Sequence, residues 1–91
     1  MNDPRSCRRY GLAPGHRMQW EEAQSAWVIL YPEGMIQLNE SAAEILRRCD
    51  GKTSLADVIA DLETSYATTG LEPDVIELVE AAAAQGWLVV V

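Results

Sequence analysis

The run from Pro32 to Gly51 leaves little freedom in how this chain folds. Pro32 suits the second position of a β-turn, and Gly34 tolerates the positive φ that such turns often need. Met35 to Leu38 then reads as a short strand with Ile36 and Leu38 on one face. Asn39 or Ser41 supplies a side-chain oxygen to cap the helix that follows. Ala42, Ile45, Leu46 and Cys49 fall at i, i+3, i+4 and i+7, one apolar stripe of an α-helix. Asp50-Gly51 closes it, Gly51 being suited to the left-handed position after a helix end. A strand edge is thereby tied directly to a helical layer.

The 91 residues make one domain, able to bury roughly 60–70% of its unfolded surface, so a core forms without staples. The two cysteines, Cys7 and Cys49, are too few for a structural zinc site, and Cys49 on the apolar stripe reads as a small core residue. Arg5, Arg8 and Arg9 are not followed by an apolar run, so no signal peptide is expected. Nor does any uninterrupted apolar stretch approach the length of a membrane span. A soluble, cytoplasmic protein is the expectation. The net charge of −7 is unevenly spread, because every acid except Asp3 lies at or beyond Glu21 while Arg5, Arg8, Arg9 and Arg17 lie before it. The body is acidic and carries a small basic arm.

Residues 1–16, punctuated by Pro4, Gly11, Pro14 and Gly15, read as a flexible N-terminal arm, and residues 17–91 as a single domain. Met18 and Trp20 alternate with polar neighbours in a first strand, 17–21. Ala26 to Tyr31 is a stronger strand, aromatic and β-branched. It is apolar on both faces, so one face meets the helices and the other needs a cover, either the arm or another chain. Met35–Leu38 completes an antiparallel meander and lies at its edge. Thr53 or Ser54 caps a second helix on which Leu55, Val58, Ile59, Leu62 and Tyr66 keep a helical rhythm. Pro73 suits the first residue of a third helix, whose inward stripe is Val75, Leu78, Val79 and Ala82, with Ile76 and Ala83 on its shoulder. Gly86 stops it, and Trp87–Val91 is a short extended tail. The fold class is α+β: a winged helix-turn-helix-like domain with an N-terminal three-stranded antiparallel sheet, three helices and a short C-terminal extended segment.

Reactive chemistry is scarce. His16, the sole histidine, stands in a Pro/Gly-flanked segment with no Ser or Cys nucleophile and Asp to complete a catalytic set. No glycine loop cradles a phosphate, and no cofactor or metal site is expected. A DNA-binding regulator is the alternative that a winged helix raises. Its recognition helix would carry Glu72, Asp74, Glu77 and Glu80 with no Lys or Arg, which repels phosphates. A homodimer built on strand 26–31 and tail 89–91 is a third reading. A peptide ligand fits better, because an exposed strand edge offers unpaired backbone groups to an incoming strand. The expected docking groove comprises Met35, Ile36, Gln37 and Leu38, walled by Ile76, Val79 and Ala83, with Glu80 or Glu77 receiving basic side chains.

Leu30-Tyr31-Pro32-Glu33-Gly34, Leu38-Asn39-x-Ser41-Ala42, Cys49-Asp50-Gly51, Asp74-Val75 and Gly86-Trp87-Leu88 occur in that order. Together they resemble the pyrroloquinoline quinone (PQQ) biosynthesis protein D family, over about Pro14 to Leu88. The resemblance implies a non-catalytic peptide chaperone, a RiPP recognition element of winged-helix type. Such a protein binds the ribosomal PQQ precursor peptide and presents it to the radical SAM enzyme that cross-links its Glu and Tyr. It also implies that the peptide adds a strand to the sheet at Met35–Leu38 and lies against the third helix from Val75 to Ala83, at the groove reached above from edge exposure.

Overall fold

A computed structural model describes residues 3–91. After a short 3-10 turn at Pro4–Cys7, the elements are β1 (Tyr10–Leu12), β2 (Arg17–Glu21), β3 (Ala26–Tyr31), β4 (Gly34–Gln37), α1 (Glu40–Leu46), α2 (Leu55–Ser65), α3 (Glu72–Ala84) and β5 (Leu88–Val90). β2, β3 and β4 form an antiparallel sheet in that order, and β1 pairs with β5 in a second, two-stranded one. The α+β meander followed by three helices and an extended tail is the architecture read from the sequence.

Register explains how the three-stranded sheet meets the helices. Ile29 stands opposite Met18 on one side and Ile36 on the other. These three side chains share the inner face, and Met18 and Ile36 pack against the buried cluster that contains Ile29. Leu46, Leu55, Val58, Ile59, Leu62, Val75 and Val79 complete that core from the helices. The opposite face of β3 carries Ala26, Val28 and Leu30. Its cross-strand neighbours Gln19, Met35 and Gln37 are half-buried or exposed. The N-terminal segment does not cover this face, since its principal contacts run to α2 and to β5.

Local signals place the helix ends. Asn39 caps α1 by accepting the Ala42 N–H at 2.8 Å, and Ser54 caps α2 by accepting the Asp57 N–H at 3.2 Å. α3 ends in a double closure across Gly86 (φ 86°): Gly86 N–H donates to Ala83 and Trp87 N–H to Ala82, both at 3.0 Å. Three local expectations change. The Tyr31–Gly34 hairpin turns without a positive φ at Gly34. α1 ends at Leu46, so Cys49 reaches the core from the turn beyond it. Tyr66 caps the end of α2 and is exposed rather than on its buried stripe.

The larger correction concerns the segment 1–16, read as a flexible arm, of which residues 1 and 2 lie outside the described residues. Tyr10, Gly11 and Leu12 pair with Val90, Val89 and Leu88. The pairing is extended by Val91 N–H to Arg9 O at 2.8 Å and Ala13 N–H to Trp87 O at 2.9 Å. Leu55 N–H and Gly51 N–H donate to Arg8 O and Tyr10 O, each at 2.8 Å, fastening the same segment to the helical layer. The approach is close, since a Cβ on Gly11 would lie 3.4 Å from the Gly51 backbone and from Val91. Tyr10 is only 2% exposed and belongs to the core. Tyr10→Ala is therefore expected to cost roughly 3 kcal/mol in urea unfolding, as for a buried aromatic. A loss within about 0.5 kcal/mol, the surface range, would return the segment to the status of an arm.

Candidate functional site

The free margin of β4 follows from antiparallel geometry. In such a pair, residues alternate between those that exchange hydrogen bonds with the neighbour and those whose N–H and C=O point away. Leu38 N–H donates to Trp27 O at 2.9 Å. The register Ile36↔Ile29 and Tyr31↔Gly34 then puts Ile36 and Gly34 in the bonded set. Met35 and Gln37 are left with outward backbone groups. β4 pairs only with β3 among the described residues, so these donors and acceptors face solvent.

Side chains on this strand divide the same way. Ile36 and Leu38 point into the core, Leu38 being buried and Ile36 half-buried. Met35, 43% exposed, and Gln37 lie on the outer face. The strand is thus anchored by one pair of side chains while offering backbone through the residues between them.

The helical wall expected beside it is mostly core. Val75 and Val79 have essentially no accessible surface, and Ile76 has little. Their burial follows from the packing of α3 on α1, α2 and β5. Ile76 shares a shallow depression with Asp3, Arg5, Glu72 and Glu80, so that shoulder of α3 faces the N-terminal segment. Ala83 remains half-buried. Glu80, expected to receive basic side chains of a ligand, is met within the chain by Arg5 at 3.5 Å and Arg8 at 3.6 Å. Arg5 also holds the Asp3 carboxylate, at 2.7 Å, and its hydrogen bonds lower the Asp3 pKa to about 2. The same ion pairs occupy two of the arginines on which a nucleic-acid reading of the basic arm would depend. The sequence held both partners but no sign of their meeting, because that contact needs β1 docked on β5.

Among the described residues the titratable groups show no arrangement suited to catalysis. His16 hydrogen-bonds the Pro14 carbonyl at 3.0 Å and stacks on Tyr31 with ring centroids 5.7 Å apart. Among the described residues there is no cluster of His, Cys, Asp or Glu able to hold a metal ion. Nor is any helix long and apolar enough to cross a membrane. Burial pushes the Cys49 thiol up to about 12, which keeps it protonated and a poor nucleophile at neutral pH.

The fold and its margin define a small winged-helix-like module that exposes unpaired sheet backbone in place of reactive side chains. The chain belongs to the coenzyme PQQ synthesis protein D (PqqD) family, whose model matches residues 26–88. A Methylococcus capsulatus protein named PqqA binding protein is 56% identical over 77 residues, covering 85% of this chain and 83% of that one. A protein of the same name from Azotobacter vinelandii is 44% identical over 89 residues, covering 97% and 91%. The fold is similar to the solution structure of the PqqD truncation of Methylobacterium extorquens PqqCD, described as a functional, stand-alone RiPP recognition element. The TM-score is 0.73 at 23% identity, over 88% of this chain and 87% of that one. At that identity the likeness speaks for the fold.

Thiol chemistry gives a direct check on the inert interior. With a colorimetric disulfide reagent at pH 8, native protein should release one equivalent, from exposed Cys7, and two after denaturation. Two equivalents at equal rates from native protein would contradict the burial of Cys49.

Proposed function

We propose that this protein binds the PqqA precursor peptide of PQQ biosynthesis without catalysing its modification. Family membership and the high identity to PqqA binding proteins support the ligand. The unpaired margin of β4 is the single structural observation that carries the mode of binding. An extended peptide segment lies antiparallel or parallel to β4, exchanging hydrogen bonds with the backbone of Met35 and Gln37. Ile36 and Leu38 keep the strand seated on the core while this happens. Of the residues expected on α3, Val75, Ile76 and Val79 act as the packed support behind the site. Ala83 retains partly open apolar surface, and Glu80 acts through its contacts with Arg5 and Arg8.

A peptide held as an added strand is extended, with its flanks free. That is the state in which the radical SAM enzyme of the pathway receives it, and this second partner follows from the family resemblance. The affinity of such a complex comes from backbone hydrogen bonds, each contributing about 0.5–1.5 kcal/mol net, together with the side chains that alternate toward the protein.

Proline substitution separates binding from folding at this strand. Gln37→Pro removes an outward N–H that β3 does not use, and edge strands tolerate proline at such positions. The variant should stay folded, within about 2 kcal/mol of the parent, yet bind the precursor peptide roughly tenfold more weakly or worse. Ile36→Pro breaks a β3–β4 bond and should cost about 3 kcal/mol or more of stability. Unchanged peptide affinity in a folded Gln37→Pro protein would exclude strand addition at β4.

A further inference from the structure

The margin of β4 is not only open but complementary to itself. Its outward backbone groups belong to Met35 and Gln37, which flank Ile36. A second β4, turned about a two-fold axis through Ile36, sets Met35 of each copy opposite Gln37 of the other. Both are outward residues, so each such pair exchanges backbone hydrogen bonds in both directions. Moving the axis to Met35 or to Gln37 leaves one outward residue of each copy facing chain beyond Gly34–Gln37. The register centred on Ile36 alone uses every outward group of the strand.

Side chains agree with that register. Ile36, half-buried on the inner face, meets Ile36 of the second copy in a non-hydrogen-bonded pair, where side chains approach most closely. On the outer face the exposed Met35 meets the uncharged amide of Gln37. Edge strands are commonly guarded against such pairing by lysine, proline or a bulge. From Gly34 to Asn39 this strand has no charged residue and no proline. Its register with β3 runs without a bulge.

We propose that, in the absence of peptide, β4 pairs antiparallel with β4 of a second copy in a weak two-fold dimer that the peptide displaces. Self-pairing rests on the open margin alone, and displacement rests on the strand-addition reading. An isologous contact closes on itself, so association stops at the dimer and does not grow into fibres. The strand has only 4 residues, which buries far less than the roughly 1,200 Å² at the low end of stable interfaces. The net charge of −7 on each copy opposes association at long range. Monomer therefore prevails at micromolar concentration, and dimer forms as the concentration rises toward millimolar. Because peptide and second copy compete for one margin, apparent peptide affinity falls as the protein becomes more concentrated.

Sedimentation velocity of the full chain from micromolar to millimolar concentration tests this, at moderate ionic strength to screen the net charge. The parent should pass from monomer toward dimer. Met35→Lys with Gln37→Lys sets lysine against lysine in both cross-strand pairs and should weaken association roughly tenfold or more. Met35→Lys with Gln37→Glu sets lysine against glutamate in both and should associate roughly threefold more tightly than the parent. Both positions are exposed, so neither variant disturbs the core. Excess precursor peptide should return the parent to a complex holding one copy of the protein. A parent that stays monomeric at millimolar concentration would overturn self-pairing and leave peptide binding at β4 standing. So would a lysine–glutamate variant that associates no better than the lysine–lysine one. Peptide bound to a persistent dimer would contradict displacement, and strand addition at β4 with it.

Discussion

The pairing of β3 with β4 is the constraint on which the rest of this molecule depends. Its register holds Ile29 against Ile36, and Ile29 is a fully buried side chain at the centre of the core. Shifting that register by one residue would turn Ile36 and Leu38 outward and bring Met35 and Gln37 in. The hydrophobic core and the open margin are therefore two consequences of one alternation. Side chains of even-numbered residues fix the strand, and the backbone of odd-numbered ones stays unpaired. Leaving such a margin open is a hazard in most proteins, because it invites unwanted strand pairing. Here the strand is short and sits between a tight turn and a helix cap, which limits how much chain can pair with it.

What surrounds the margin was legible to different depths. The turn at Pro32, the strand after it and the Asn39 cap each rest on local chemistry within a few residues, and they stand where the sequence puts them. The same holds for Ser54 at the start of α2 and Gly86 at the end of α3. The Tyr10–Leu12 strand was not legible, since a three-residue run with a central glycine between prolines carries no periodic signal. It exists because Leu88–Val90 needs a partner, and that pairing joins opposite ends of the chain. Gly11 looked like a loop breaker and proves to be a point of close backbone approach to Gly51.

The electrostatics of α3 depend on where that segment lies. With a free N-terminal arm, Glu80 would be an open acid and Arg5 and Arg8 open bases. Docking β1 on β5 brings them together, so the acidic character of α3 is partly answered within the chain. Among the described residues Glu22 and Glu40, near two tryptophans, form no ion pair. Helical periodicity puts Val75 and Val79 on the inward stripe of α3 and Ile76 on its shoulder, and all three are buried. Side chains buried to that extent cannot also line an open groove.

Amide hydrogen exchange, with and without precursor peptide, tests strand addition most directly, because it reports on individual backbone donors. In free protein the Ile36 and Leu38 amides should be protected by β3 and those of Met35 and Gln37 should exchange quickly. On peptide binding, protection should rise at Met35 and Gln37 and change little at Ile36 and Leu38. Protection that appears elsewhere while Met35 and Gln37 continue to exchange as in the free protein would contradict the account.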